Sequence, residues 1–168
     1  ALPISDACKE YMKLGEEPAG MAEQVAVHLA ATESRVGRKF GDAKDPLLVS
    51  VRSGAKFSMP GMMETVLNIG LNDETLVGLA AATGSERFAW DSYRRLIQMF
   101  GKTVLGIESH HFEEVLDAQK EKSGAKQDVD LTVDDLKQVV VGYKAVVKRD
   151  TGKDFPQNVL EDRKSTRL

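Results

Sequence analysis

Arg52 ends an apolar run and opens the stretch VRSGAKFSMPGMMETVLNIG, residues 51–70. Directly after it come Ser53, Gly54, Ser58 and Gly61, while three of the chain's six methionines, Met59, Met62 and Met63, crowd around the Pro60-Gly61 pair. Glycines let backbone N–H groups approach phosphate oxygens, and the planar fork of an arginine matches a phosphate bidentately. Arginine plus glycine loop therefore suits a polyphosphate. The methionines could form a polarizable wall against a flat base, although their commoner use is to fill irregular gaps in a core. On residue types alone, a strand followed by a surface loop and a packed turn competes with a site. The spacing GxxxxGK[ST] is absent, so this is no P-loop, and no GxGxxG occurs.

Other reactive side chains are sparser. Adjacent His110 and His111 point about 100° apart on a helix, cannot easily share one metal, and read as solvated first-turn residues. The acidic run between Asp128 and Asp135 lacks the alternating ligands and central glycine of a calcium loop and reads as a loop and helix cap. No metal ligands are assigned. Cys8 has no histidine nearby in sequence to activate it and is expected to be a small buried or half-buried residue. His28 is expected to be a helix-surface or packed residue.

The elements that must position Arg52 begin after the loop-like GEEPAG. Met21, Val25, Leu29, Thr32, Val36 and Phe40 recur at spacings of three and four, which predicts an amphipathic helix closed by Gly41. A polar turn over Asp42 to Asp45 leads into PLLVSVR, the best strand in the sequence, whose apolar density predicts burial on both faces. Left unpaired, a strand over Pro46 to Arg52 would be an association hazard. From about Asn72 the pattern is helical. Ser85 caps a helix carrying Ala89, Tyr93, Leu96 or Ile97, Phe100 and Val104 inward, with Asp91 four residues before Arg95 on the exposed side. A shorter helix follows Ser109, carries Phe112, Val115 and Leu116 inward, and stops at Gly124. A third starts at Thr132, where Thr132 and Asp135 form an approximate capping box, and runs through Leu136, Val139, Val140, Tyr143 and Val147. NVLEDRKSTRL, from residue 158, has no apolar period and reads as a frayed or foreign tail.

The whole chain has 168 residues, enough for one ordinary domain with a sizeable core. Its 42% hydrophobic and 29% charged residues are those of a globular protein, and no run approaches the roughly 18 apolar residues of a membrane helix. A net charge of -3, with both signs interspersed, offers no broad positive field for a nucleic-acid backbone. One cysteine and a start without basic and apolar signal regions predict a reducing, cytoplasmic setting.

DPLLVSVRSGAKFSMPGMMETVLNIGLND, residues 45–73, closely resembles the signature of pyruvate, phosphate dikinases. ERFAWDSYRRLIQMFG, residues 86–101, resembles that family's next block, and DLTVDDLKQVVVGYKAVVK, residues 130–148, continues it in register. The resemblance covers most of the chain between Pro3 and Gln157. Phosphoenolpyruvate synthases are similar at the strand ending in VRSS, but their following loop is typically acidic and aromatic, with nothing like SMPGMM.

The resemblance implies an α+β fold, a partial ATP-grasp nucleotide-binding domain with a largely helical inserted subdomain. Residues 1–71 are then part of the first ATP-grasp subdomain, 72–157 the helical subdomain and 158–168 a divergent tail. The family phosphorylates a histidine on a separate swivelling domain of the same polypeptide, using ATP and phosphate, and then converts pyruvate to phosphoenolpyruvate. Arg52 is similar to the family arginine that contacts ATP phosphates, giving it both a binding and a catalytic role. Gly61 and Met63 resemble positions of the loop that closes near the nucleotide, and Ser53, Gly54 and Ser58 are its neighbours. Lys56 is assigned no role. The glycine- and lysine-bearing segment and the acidic Mg2+ ligands would lie outside this chain, so alone it is expected to be inactive; family members are expected to be homo-oligomers. The alternatives are a phosphoenolpyruvate synthase-like fragment or a non-catalytic helical interaction module.

Overall fold

The computed structural model describes residues 4–52 and 65–158. It is a mixed helix and small-sheet structure. Helices α1 (Ile4–Leu14) and α2 (Met21–Val36) precede four short strands, β1 (Lys39–Phe40), β2 (Pro46–Leu47), β3 (Val49–Arg52) and β4 (Thr65–Ile69). Four more helices follow: α3 (Thr75–Thr83), α4 (Glu86–Thr103), α5 (Ser109–Ser123) and, after a 3-10 turn at Asp128–Asp130, α6 (Val133–Thr151). No helix among the described residues is long and apolar enough to cross a membrane.

Helix α2 ends earlier than the spacing predicts. Gly37, at φ 76°, takes the left-handed conformation and its N–H caps the Glu33 carbonyl, so Phe40 leaves the helix and enters β1. A glycine pays no Cβ penalty there, which lets it stop a helix whose apolar period would otherwise continue. No described residue of α2 is fully buried. His28 lies on its exposed side, and the side-chain surroundings of Cys8, on α1, lie outside the described residues.

The PLLVSVR run is two strands rather than one. Pro46 and Leu47 are buried and pair in parallel with Lys39 and Phe40, whereas Val49–Arg52 alternates half-buried and exposed. Burial on both faces therefore fails for β3: Val49 and Val51 face inward, Ser50 and Arg52 outward. The strand is also not unpaired, because β4 runs antiparallel to it.

Helix α4 forms the middle of the core. Ala89, Tyr93, Leu96, Ile97 and Phe100 are buried along it, against Val66 and Ile69 of β4, Leu76 and Leu79 of α3, and Leu136, Val139, Val140 and Tyr143 of α6. Phe155 closes the cluster with edge-on contacts to Tyr93 and Phe100, at centroid distances of 6.2 and 5.5 Å. On α5, Phe112 stacks edge-on against Tyr143 at 5.0 Å. Its ring occupies the space beside Gly101, where a Cβ would lie 2.4 Å from the ring tip.

The helix starts follow local chemistry. The Ser85 hydroxyl accepts the Phe88 N–H at 3.2 Å, and Thr132 and Asp135 exchange side-chain and backbone bonds in a full capping box. Gly124 ends α5 in the left-handed conformation. Between β4 and α3, the Asn72 side chain accepts the Glu74 and Thr75 N–H groups at 2.9 and 2.8 Å, while the Thr75 hydroxyl donates to the Gly70 carbonyl at 2.8 Å.

Candidate functional site

Arg52 is the last residue of β3, exposed, and pairs in register with Thr65, the first residue of β4. These two residues are the feet of the connection over residues 53–64. The segment singled out by its glycines and methionines therefore connects two antiparallel strands. Of the six nominated residues the structure describes Arg52; Ser53, Gly54, Ser58, Gly61 and Met63 lie outside the described residues.

The hairpin is held from below. Val49 and Val51 share the inner face with Ile69 and Val66, their register partners, and both β4 residues are fully buried against α4. In an antiparallel pair, directly opposed residues point to the same face. Arg52 and Thr65 consequently share the outer face. An exposed guanidinium at the rim of a hairpin, with its strand anchored by four apolar side chains, can meet an anionic ligand without disturbing the core.

The strongest ionic cluster lies elsewhere, and of its contacts only the Asp91–Arg95 pair is expected from the sequence. Arg94, only 3% exposed, donates from Nε and Nη2 to Asp91 Oδ1 at 3.0 and 2.7 Å, and Nη2 lies 3.3 Å from Asp128 Oδ2. Lys120 Nζ reaches Asp128 Oδ1 at 2.6 Å, and Arg95 binds the other oxygen of Asp91 at 2.8 Å. Burial opposes the Arg94 charge, but the Asp91 bond and charge outweigh it and push the guanidinium pKa up. The Lys120 bond holds the Asp128 carboxyl below its ordinary range. Burial pushes the Tyr143 hydroxyl up; it lacks a partner in hydrogen-bonding geometry among the described residues, yet lies close enough to Arg94 to feel its charge. Arg87 adds two bonds to the carbonyls of Leu131 and Asp128, at 2.9 and 2.7 Å. The cluster staples α4 to the Asp128–Asp130 turn and α5. One local signal existed: Arg94 precedes Gly101 by seven residues, so it borders the apolar stripe of α4 rather than its solvent face.

A second polar group ties the chain end to the turn before α3. Asp73 Oδ1 accepts from Lys144 Nζ at 2.6 Å and the Tyr93 hydroxyl at 3.1 Å, and Gln157 donates to that hydroxyl at 3.2 Å.

The histidine pair divides. His110 is half-exposed beside Glu108, whereas His111 Nδ1 sits 2.6 Å from Asp150 Oδ2, linking the start of α5 to the end of α6. His111 is thus a tethered residue rather than a freely solvated one. Within the Asp128 to Asp135 run, Asp130 and Asp135 cap the turn and α6 as expected, whereas the Asp128 carboxylate binds Lys120 and Arg94. Among the described residues no three His, Cys, Asp or Glu side chains come together as a metal site.

No family model matches the chain. Curated proteins do. A pyruvate, phosphate dikinase of Giardia intestinalis is 54% identical over 150 residues, 89% of this chain and 17% of that protein. The Clostridium symbiosum enzyme of that name is 49% identical over 155 residues, 91% of this chain and 18% of its own length. An Arabidopsis thaliana relative, named pyruvate, phosphate dikinase 1, chloroplastic, is 48% identical, covering 92% and 16%. The chain spans between 16% and 18% of the length of these relatives.

Proposed function

Since the chain belongs, over about nine-tenths of its length, to the pyruvate, phosphate dikinase family, we propose that its β3–β4 hairpin is one wall of an ATP site. Arg52 contacts the nucleotide phosphates and neutralises charge that develops as a phosphoryl group is transferred. Gly61 and Met63 belong to the loop that closes near the nucleotide, and Ser53, Gly54 and Ser58 are its neighbours. The observation that carries this reading is the exposed Arg52 at the foot of residues 53–64, on a hairpin whose inner face is locked into the core.

The wider reading extends the resemblance of the sequence to the dikinases, which the relatives support at the level of the family. The chain is part of an ATP-grasp domain, residues 1–71 with a helical subdomain over 72–157, and residues 158–168 are a divergent tail. Mg2+ bound by ligands outside this chain offsets the phosphate charge. A phosphohistidine domain of the same polypeptide receives the phosphoryl group, and the complete enzyme turns ATP, phosphate and pyruvate into AMP, diphosphate and phosphoenolpyruvate. It works as a homo-oligomer in the cytoplasm, although some relatives are named chloroplastic. The 168-residue chain alone is inactive, because transfer needs a positioned acceptor and a metal as well as one arginine.

The test is Arg52→Ala in a full-length dikinase carrying this segment. Histidine phosphorylation should fall roughly 100-fold or more, the usual loss for one preorganised donor at a developing charge. Thermal stability should stay nearly unchanged, because Arg52 is exposed and its removal leaves no buried partner. Unchanged phosphorylation, or loss of folding in parallel with activity, would overturn the reading in favour of a packing role.

A further inference from the structure

The β3–β4 ladder contains one extra residue. Val49 pairs with Ile69 and Val51 with Val66, so two steps along β3 oppose three along β4. The extra residue falls within Leu67-Asn68, and Asn68, at φ 61°, is the one non-glycine residue with positive φ among those described. Asparagine tolerates this left-handed conformation better than most residues. Its side chain donates to the Ser92 carbonyl of α4 at 3.4 Å, and its own carbonyl accepts the Leu71 N–H at 3.2 Å.

The bulge settles what stands beside Arg52. Val66 and Ile69 are three residues apart, and a regular strand would send them to opposite faces. With the bulge, both are fully buried on the core face. Without it, and with Ile69 still opposite Val49, Arg52 would face Val66 instead of Thr65. A buried anchor would then be pulled onto the outer face, and the loop would leave β4 one residue out of place.

We infer that Asn68 is a positioning residue for Arg52: by holding the bulge in the left-handed conformation, it sets the register at the loop's feet and so the aim of the arginine at the nucleotide. The inference deepens the ATP-site reading and rests on it. Asn68 touches no substrate and acts only through the hairpin.

The experiment uses a full-length dikinase carrying this segment, with thermal melts run beside steady-state kinetics below every variant's melting point. Asn68→Gly keeps the left-handed conformation at no steric cost and should leave the KM for ATP within about twofold of the parent. Asn68→Ala must strain or abandon the bulge and should raise that KM by roughly tenfold, the factor equivalent to the left-handed penalty. In an Arg52→Ala background the same Asn68→Ala change should leave the ATP KM where Arg52→Ala alone puts it, because the route through Arg52 is already cut. If Asn68→Ala lowers only the melting point, or raises the ATP KM equally with and without Arg52, the positioning role is overturned while the site reading stands. If Arg52→Ala itself leaves ATP kinetics unchanged, the site reading fails first.

Discussion

Arg94 and Asp128, thirty-four residues apart in sequence, meet at 3.3 Å in a cluster where the arginine side chain is only 4% exposed. A buried ion pair is weak evidence for net stability, but removing one partner leaves charge behind and is strongly destabilising. The geometry here distributes that charge. Asp91 keeps Arg95, and Asp128 keeps Lys120.

Arg94→Ala should therefore lower the unfolding free energy of the chain by about 3 kcal/mol, the lower end for breaking a buried pair, because both carboxylates retain a cation. Urea denaturation checks this. Arg95→Ala, at an exposed position, should cost about 0.5 kcal/mol or less. Equal losses for the two would mean that burial of Arg94 contributes nothing.

The acid limb of stability should depend on Asp128. Lys120 depresses its folded pKa, so the unfolded chain takes up the proton first as pH falls. Its contribution is complete above the ordinary carboxyl range, about pH 4, and is lost as pH falls through the depressed folded value. The stability gap between the parent chain and Asp128→Asn should be constant near neutrality and shrink below about pH 4. A gap that stays constant throughout the acid range would exclude a pKa difference between folded and unfolded chains.

Gly78 is a test of close packing between α3 and the turn before β2. A Cβ there would lie 2.3 Å from the Ala43 carbonyl oxygen and 2.7 Å from that of Lys44. Alanine normally favours a helix over glycine by about 1 kcal/mol, but two backbone oxygens cannot swing aside as a flexible side chain would. Gly78→Ala should be net destabilising by about 1–3 kcal/mol, read as a lower urea midpoint. A raised midpoint would mean that the turn yields freely.

The Thr132 cap of α6 predicts a smaller effect. Its hydroxyl accepts the Asp135 N–H at 3.2 Å and donates to Asp135 Oδ2 at 2.6 Å. Thr132→Ala should cost about 1 kcal/mol and Thr132→Ser much less, again by denaturation. Equal costs for the two would assign the loss to the methyl group instead.

Helices α4, α5 and α6 were legible from short-range chemistry. Ser85, Gly124 and the Thr132–Asp135 pair each act within four residues, so their signals survive in a linear string. The end of α2 was misread because Phe40 keeps the helical period while Gly37, three residues earlier, breaks the backbone. β4 escaped notice because its bulge destroys the period of two: Val66 and Ile69 both point inward. Arg52 stood out because an arginine before a glycine loop is a chemical anomaly in its own right.

By themselves the residues determined where α4, α5 and α6 begin, which of their side chains enter the core and which cation stands at the mouth of the loop. Their likeness to the dikinases also determined the family. Only the tertiary structure decided that β3 has a partner, that Thr65 stands opposite Arg52, and that Arg94 is buried on Asp91 and Asp128. The physical reason is distance along the chain. Caps and periods are set by neighbours three or four residues away, whereas strand register and the pairing of buried charges are set by contacts that form only when remote segments close on one core.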